Sequence, residues 1–229
     1  VRKNEKVATM RIVAVGDMHG SLQAVFTAVE TAKPDLLLSS GDWGDPGQLD
    51  PEEFRSLVEK VRVLTVFGNH DDIVLLSTTA NTDGSPVLLS QGEVREVGGL
   101  RLAGISGIWA KSHRIPYYIT DEDAAKFANE IRRHGDIDIM LTHGCPVGLA
   151  DATPAGRHGG QRCFLDAFHA VRPRLYICGH LHLAQQRILK DGRTVVNVGY
   201  TFEGDYWIIE MDRIHIRLEH CNTTSGQEG

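Results

Sequence analysis

Long apolar runs are missing from this chain of 229 residues. No stretch approaches the roughly 20 apolar residues that a bilayer-spanning helix needs, so no membrane partner is expected. The opening residues Val1-Arg2-Lys3-Asn4-Glu5-Lys6 also lack the apolar stretch of a signal peptide. Residues 1–10 therefore read as a polar leader, with Met10 an alternative start, and a cytoplasmic protein is expected. Cysteine is scarce. Cys145, Cys163, Cys178 and Cys221 are irregularly spaced and form no C-x-x-C. Reduced thiols are expected rather than a disulfide framework, and the pattern speaks against a structural zinc site. Positive charge is in deficit, with 24 Lys and Arg against 30 Asp and Glu. The balance of −6 argues against a dedicated nucleic-acid binder and suits a protein that holds cations. Internal repeats, low-complexity tracts and linkers are absent too. One domain over residues 11–220 with a polar tail at 221–229 is expected, and an apolar fraction of 41% is ample for its core.

What is present alternates. Residues 11–15, 35–39 and 61–67 are short apolar, strand-like runs separated by helical stretches at 21–31 and 51–60. Asp50 and Pro51 supply the N-cap and first position of the second helix. This β-α-β-α-β pattern predicts parallel strands with helical crossovers. Further strands are expected at 87–89, 93–97 and 100–105, the last two joined by a Gly98-Gly99 hairpin. A loop at 106–120 leads to a helix at 121–134 capped by Thr120. A strand at 137–141, a Gly/Pro loop at 144–160, a helix at 161–171 and a strand at 174–178 follow. Strands near 184–189, 194–198, 205–210 and 213–219 close the chain. Two mixed sheets with helices on their outer faces accommodate this order.

Five motifs offer oxygen or imidazole ligands: Gly16-Asp17-Met18-His19-Gly20, Gly41-Asp42-Trp43-Gly44-Asp45, Gly68-Asn69-His70-Asp71, Thr142-His143-Gly144 and Gly179-His180-Leu181-His182. Most follow an expected strand directly, and ligands gather at the carboxyl ends of parallel strands. Asp17 with His19, and His180 with His182, have the i, i+2 spacing that sends two side chains one way along extended backbone. Asp17 is an equally good N-cap for the next helix, with His19 incidental. Asp42 has two oxygens with which to bridge cations, and Asp45 fits a turn or a supporting contact. Asn69 offers a neutral carbonyl ligand or an Asx turn that caps a following helix, a cap that Asp71 or Asp72 could also supply. His70 points elsewhere, free for acid chemistry, and Asp71 could orient it.

Together the motifs resemble the calcineurin-like metallophosphoesterase family. The match spans about residues 11–210. The resemblance implies an α/β fold, a four-layered αββα sandwich of two mixed β-sheets flanked by helices. It also implies a centre of two divalent metal ions, with Mn2+ favoured and Fe or Zn as alternatives. One metal would take Asp17, His19, Asp42 and His182, the other Asp42, Asn69, His143 and His180, with Asp42 shared. His70 corresponds to the family's catalytic histidine, with Asp71 as its partner. The implied reaction is hydrolysis of phosphoester bonds by a metal-bridging hydroxide. Pro46 stands where the protein phosphatase branch has arginine, and Asp71 where it has glutamate. The chain is more similar to small prokaryotic phosphodiesterases, and small phosphodiesters or nucleotides are the expected substrates. A nuclease or a non-catalytic scaffold of the same fold is the alternative. Trp43, His113, Arg157 and His158 lie in loops expected around the metals and are candidate substrate contacts.

Overall fold

A computed structural model describes residues 9–224. The expected leader lies outside these residues apart from Thr9 and Met10, as does the tail beyond Thr224. The first sheet contains β1 (Met10–Val15), β2 (Leu36–Ser39), β3 (Val63–Thr65), β12 (Asp205–Met211) and β13 (Ile216–Asn222), in the order β13-β12-β1-β2-β3. β1, β2 and β3 are parallel, while β12 and β13 join antiparallel. The second sheet runs β10 (Gln185–Ile188), β11 (Thr194–Asn197), β9 (Leu175–Cys178), β8 (Ile139–Thr142), β5 (Leu100–Ile105), β4 (Val94–Val97). Its four inner strands are parallel and its two edge strands antiparallel.

Alternation along the strands builds the layers. On β1, Ile12 and Ala14 enter the core between the sheets, where they join Leu36, Leu38, Leu102, Leu141 and Ile177. Val13 and Val15 face the other way, into a cluster with Val25, Phe54 and Leu57 from α1 (Gln23–Ala32) and α2 (Pro51–Lys60). On the far side, Ala103, Met140 and Tyr176 pack with Ala128, Phe164 and Phe168 from α4 (Asp121–Arg132) and α5 (Arg162–Val171). Three apolar clusters thus separate four layers, helices–sheet–sheet–helices. The inner strands are buried on both faces, which is why they read as unbroken apolar runs.

Caps place the helices. The Asp50 carboxylate accepts from Glu52 N at 2.9 Å and opens α2 at Pro51. Thr120 and Asp123 form a reciprocal capping box at the start of α4. The chain after Asp71 forms a short helix, α3 (Ile73–Thr78), and of the expected caps Asp72 is the one used. Two segments depart from expectation. Residues 87–89 are not a strand; a single bridge ties Leu88 to Thr65. The loop at 106–120 contains a two-stranded parallel ribbon, β6 (Ile108–Trp109) with β7 (Tyr118–Ile119). No described helix is long and apolar enough to cross a membrane.

Candidate metal centre

The carboxyl ends of β1, β2, β3, β8 and β9 converge at one edge of the sandwich, and the candidate ligands follow those ends directly. They form two groups. In one, ligand atoms of Asp17, His19 and His182 lie within 4.8 Å of one another; in the other, those of Asp42, His143 and His180 do. His19 Nε2 is 3.4 Å from His182 Nε2, and His143 Nε2 is 3.2 Å from His180 Nδ1. His182 Nε2 also lies 3.2 Å from Asp17 Oδ1, but not in hydrogen-bond geometry.

Backbone contacts aim these side chains. His143 is fully buried, and its Nδ1–H donates to the Ser40 carbonyl at 2.9 Å. That bond fixes the tautomer and leaves Nε2 facing Asp42 Oδ2 at 3.4 Å. Asp17 Oδ2 accepts from His180 N at 3.0 Å, and Asp42 Oδ1 accepts from His70 N at 2.8 Å. Each carboxylate thereby ties one motif to another. Gly68 and Gly179 make the approach close enough. A Cβ on Gly68 would fall 2.1 Å from Asp42 Oδ1, and one on Gly179 would fall 2.6 Å from Asp17 Oδ2. Asp17, His19, Asp42, His180 and His182 all have positive φ, between 45° and 69°. Only three other non-glycine residues among those described share that conformation. Left-handed backbone costs about 1–3 kcal/mol per non-glycine residue and concentrates where function needs it.

The donor set fits divalent cations. The buried oxygens Asp17 Oδ1 and Asn69 Oδ1 have no hydrogen-bond partner. Such atoms are costly unless something positive meets them. Burial and the neighbouring His143 push the His180 pKa down to about 4, which keeps a neutral imidazole available as a ligand. Burial also opposes charge on His143, yet Asp42, Asp17 and Asp71 outweigh it and raise its pKa to about 9. The field of these carboxylates therefore favours positive charge at that point. Mixed oxygen and nitrogen donors without thiolate suit Mn, Fe or Zn.

His70 stands beside these groups, its ring 5.2 Å from that of His19. Its expected partner is elsewhere. Asp71 is fully buried, and its carboxylate accepts from the backbone N–H groups of Asp42 (2.8 Å), Trp43 (2.7 Å) and Gly68 (2.6 Å). Burial and then the Asp42 charge push the Asp71 pKa up to about 7, against the pull of those three donors. The group facing His70 is Asp45, whose carboxylate oxygens lie 3.1 and 3.3 Å from Nδ1. Sequence spacing ranked Asp45 below Asp71 because adjacency is visible in a sequence and the inward turn of the backbone is not.

The expected substrate contacts fare unevenly. Trp43 is fully buried against Phe54 and donates from Nε1 to Thr65 Oγ1 at 2.8 Å, so it cannot meet a substrate. His113 is exposed and pairs with Asp123 on α4. Arg157 is exposed, and His158 is exposed with its Nδ1 2.8 Å from Asp151. Their loop passes the metal groups at Gly159, which packs on Leu181 between His180 and His182. Tyr200, which sequence reasoning overlooked, stacks parallel on His182 with ring centres 4.2 Å apart. A usable signal existed. Like four of the five motifs, Tyr200 follows a largely apolar strand and a glycine, Val195-Val196-Asn197-Val198-Gly199. A cavity of about 560 Å³ lies between α4 and α5, but none of the ligand residues line it.

A sequence profile of calcineurin-like phosphoesterases matches residues 10–184. The chain belongs to the calcineurin-like phosphoesterase family. The family's use of divalent metals agrees with the two donor groups. Among curated relatives, lariat debranching enzymes from Caenorhabditis briggsae and Schizosaccharomyces pombe are 28% and 25% identical, over 80% and 76% of this chain. The chain spans about half the length of those relatives, 48% in both cases. A solved structure, that of TT1561 from Thermus thermophilus, superposes with a TM-score of 0.73 at 14% identity, covering 94% of this chain and 99% of that one. A phosphatase from Mycoplasma pneumoniae does so at 0.58, with 15% identity and 94% of each chain covered. At these identities the two structures speak to the fold.

Proposed function

We propose that this family member is a dinuclear, metal-dependent phosphodiesterase acting on small phosphodiesters or nucleotides. The single domain over residues 11–220 would carry the whole centre. The carrying observation is the pairing of two three-residue donor groups with two orphaned buried oxygens at one edge of the sandwich. Asp17, His19 and His182 would hold one cation. His143, His180 and Asn69 would hold the other, with Asp42 shared. Mn2+ is the favoured ion, with Fe or Zn as alternatives. When bound, such a pair neutralises phosphoryl charge and lowers the pKa of water. The chain's own residues do the rest. Asp45 accepts from His70 Nδ1–H and supports the imidazolium, whose Nε2–H would give its proton to the leaving oxygen. The Ser40 carbonyl holds the His143 ring still, and Asp71 holds the loops that carry Asp42 and Gly68. The relatives named for debranching lariats favour a diester over a monoester, since opening such a branch cuts a phosphodiester.

The test is a panel of activated monoesters and diesters given to chelator-stripped protein reloaded with Mn2+, Fe2+ or Zn2+. Activity on diesters should return only with metal, and equal rates in stripped protein would sink the reading. His70→Ala should lower kcat about 10²–10⁴-fold, the usual range for a positioned acid. Asp45→Asn should cost about 10–100-fold, as loss of an orienting carboxylate does. An ester with a very acidic leaving group should shrink both losses, because it needs no proton; unchanged losses would remove His70 from that role.

A further inference from the structure

An aromatic stack leaves the candidate centre on the His182 side. Tyr200 lies parallel to His182 with an interplanar angle of 5°, and Phe202 stacks on Tyr200 at 5.5 Å and 26°. Phe202 is 52% exposed, unusual for a side chain of its size. Its backbone is nonetheless held tightly. Phe202 N donates to Asp17 O at 3.2 Å and Thr201 N to Gly16 O at 3.1 Å. Thr201 Oγ1 accepts from Gly16 N at 3.0 Å and donates to Asp205 O at 2.8 Å. The short turn Thr201–Glu203 is thus fastened to the loop that carries Asp17 and His19. A solvent-facing aromatic on a rigid mount, two ring steps from a ligand histidine, is pre-organised to stack on something planar.

Phe202 also lines a cavity of about 240 Å³ at the start of α1. The polar walls are Ser21, Gln23, Thr27, Glu203, Thr223 and Thr224, and among the described residues neither lysine nor arginine contributes. Hydroxyls, an amide and a carboxylate can read the donor and acceptor edge of a neutral ring. Without a cation they would not hold a phosphate. The volume is below the roughly 300–1,000 Å³ of cavities that enclose a whole ligand, so it suits one ring of a larger molecule.

We propose that Phe202 and this cavity form a subsite for one nucleobase of the substrate, with the scissile phosphate at the metal groups beyond Tyr200 and His182. The inference rests on the phosphodiesterase reading and narrows its substrate class to nucleotide diesters. Tyr200 acts here as a positioning residue, carrying the platform against His182.

The experiment is calorimetric titration of metal-loaded protein with two non-hydrolysable probes, a dinucleotide methylenephosphonate and its fully abasic counterpart. Phe202→Ala should weaken the dinucleotide about 10–100-fold, the usual worth of one stacked base, and leave the abasic probe within about twofold. Phe202→Trp should keep dinucleotide affinity within about threefold of the parent, because the platform is preserved. Equal binding of the dinucleotide by parent and F202A would overturn the subsite, as would equal loss of both probes. Turnover of a nitrophenyl diester is scored separately. A parent that binds the dinucleotide yet cleaves no ester would defeat the phosphodiesterase reading, while the F202A comparison still decides the subsite.

Discussion

Asp42→Ala is expected to lower hydrolysis of an activated aryl phosphodiester by more than about a hundredfold while the fold survives. The floor comes from outer-shell partners, whose removal already costs about 10–100-fold in affinity or activity. Asp42 is closer to the chemistry than that. Its carboxylate is buried, sits 3.4 Å from His143 Nε2, and accepts the His70 backbone N–H. The substitution therefore removes a donor oxygen, a negative charge and a tether at once. Asp42→Asn separates these effects, since an amide oxygen can keep the His70 tether while the charge is lost. Both variants should bind less metal by elemental analysis, and both should keep their far-UV circular dichroism. Full activity in either would remove Asp42 from the centre.

The largest stability effect is expected at Asp71. Asp71→Ala strands three buried backbone N–H groups, those of Asp42, Trp43 and Gly68. Each orphaned donor costs about 1–3 kcal/mol, so a loss of about 3 kcal/mol or more is expected. For a chain of this size that corresponds to a fall in Tm of roughly 6–12 °C. The loops released are those after β2 and β3, so metal binding should weaken with stability. Thermal unfolding with and without metal measures both. A melting temperature within about 2 °C of the parent would show that those N–H groups find other acceptors.

Much of the architecture was legible because its causes are local. Asp50-Pro51 start a helix wherever they occur before an amphipathic stretch, and α2 runs over Pro51–Lys60 as expected. Strands buried on both faces announce themselves as short apolar runs, and β5 keeps its expected bounds, Leu100–Ile105. The failures have non-local causes. Residues 87–89 are apolar because Val87 and Leu89 enter the cores on either side of the first sheet, while their pairing is confined to Thr65 of β3. At the site, the motifs pointed to the residues that gather there, but side-chain direction in a loop depends on the fold. That is why Trp43 turns inward to Thr65, Asp71 turns under the loops, and Asp45 reaches His70. Phe202 stands apart from every motif and becomes visible only as a ring in space, whereas Tyr200 had the preceding strand and Gly199 to mark it.

The left-handed backbone at five of the candidate ligands has a consequence for how such a chain can change. Asp17, His19, Asp42, His180 and His182 hold a conformation that glycine adopts freely and they do not. In metal-free solution, His182→Gly, at a side chain 39% exposed, should therefore unfold at a temperature no lower than the parent's, even as the donor group is broken. Giving up the chemistry relaxes the chain. Selection for stability and selection for activity pull in opposite directions at these positions, and residues that persist there do so against the fold's own preference.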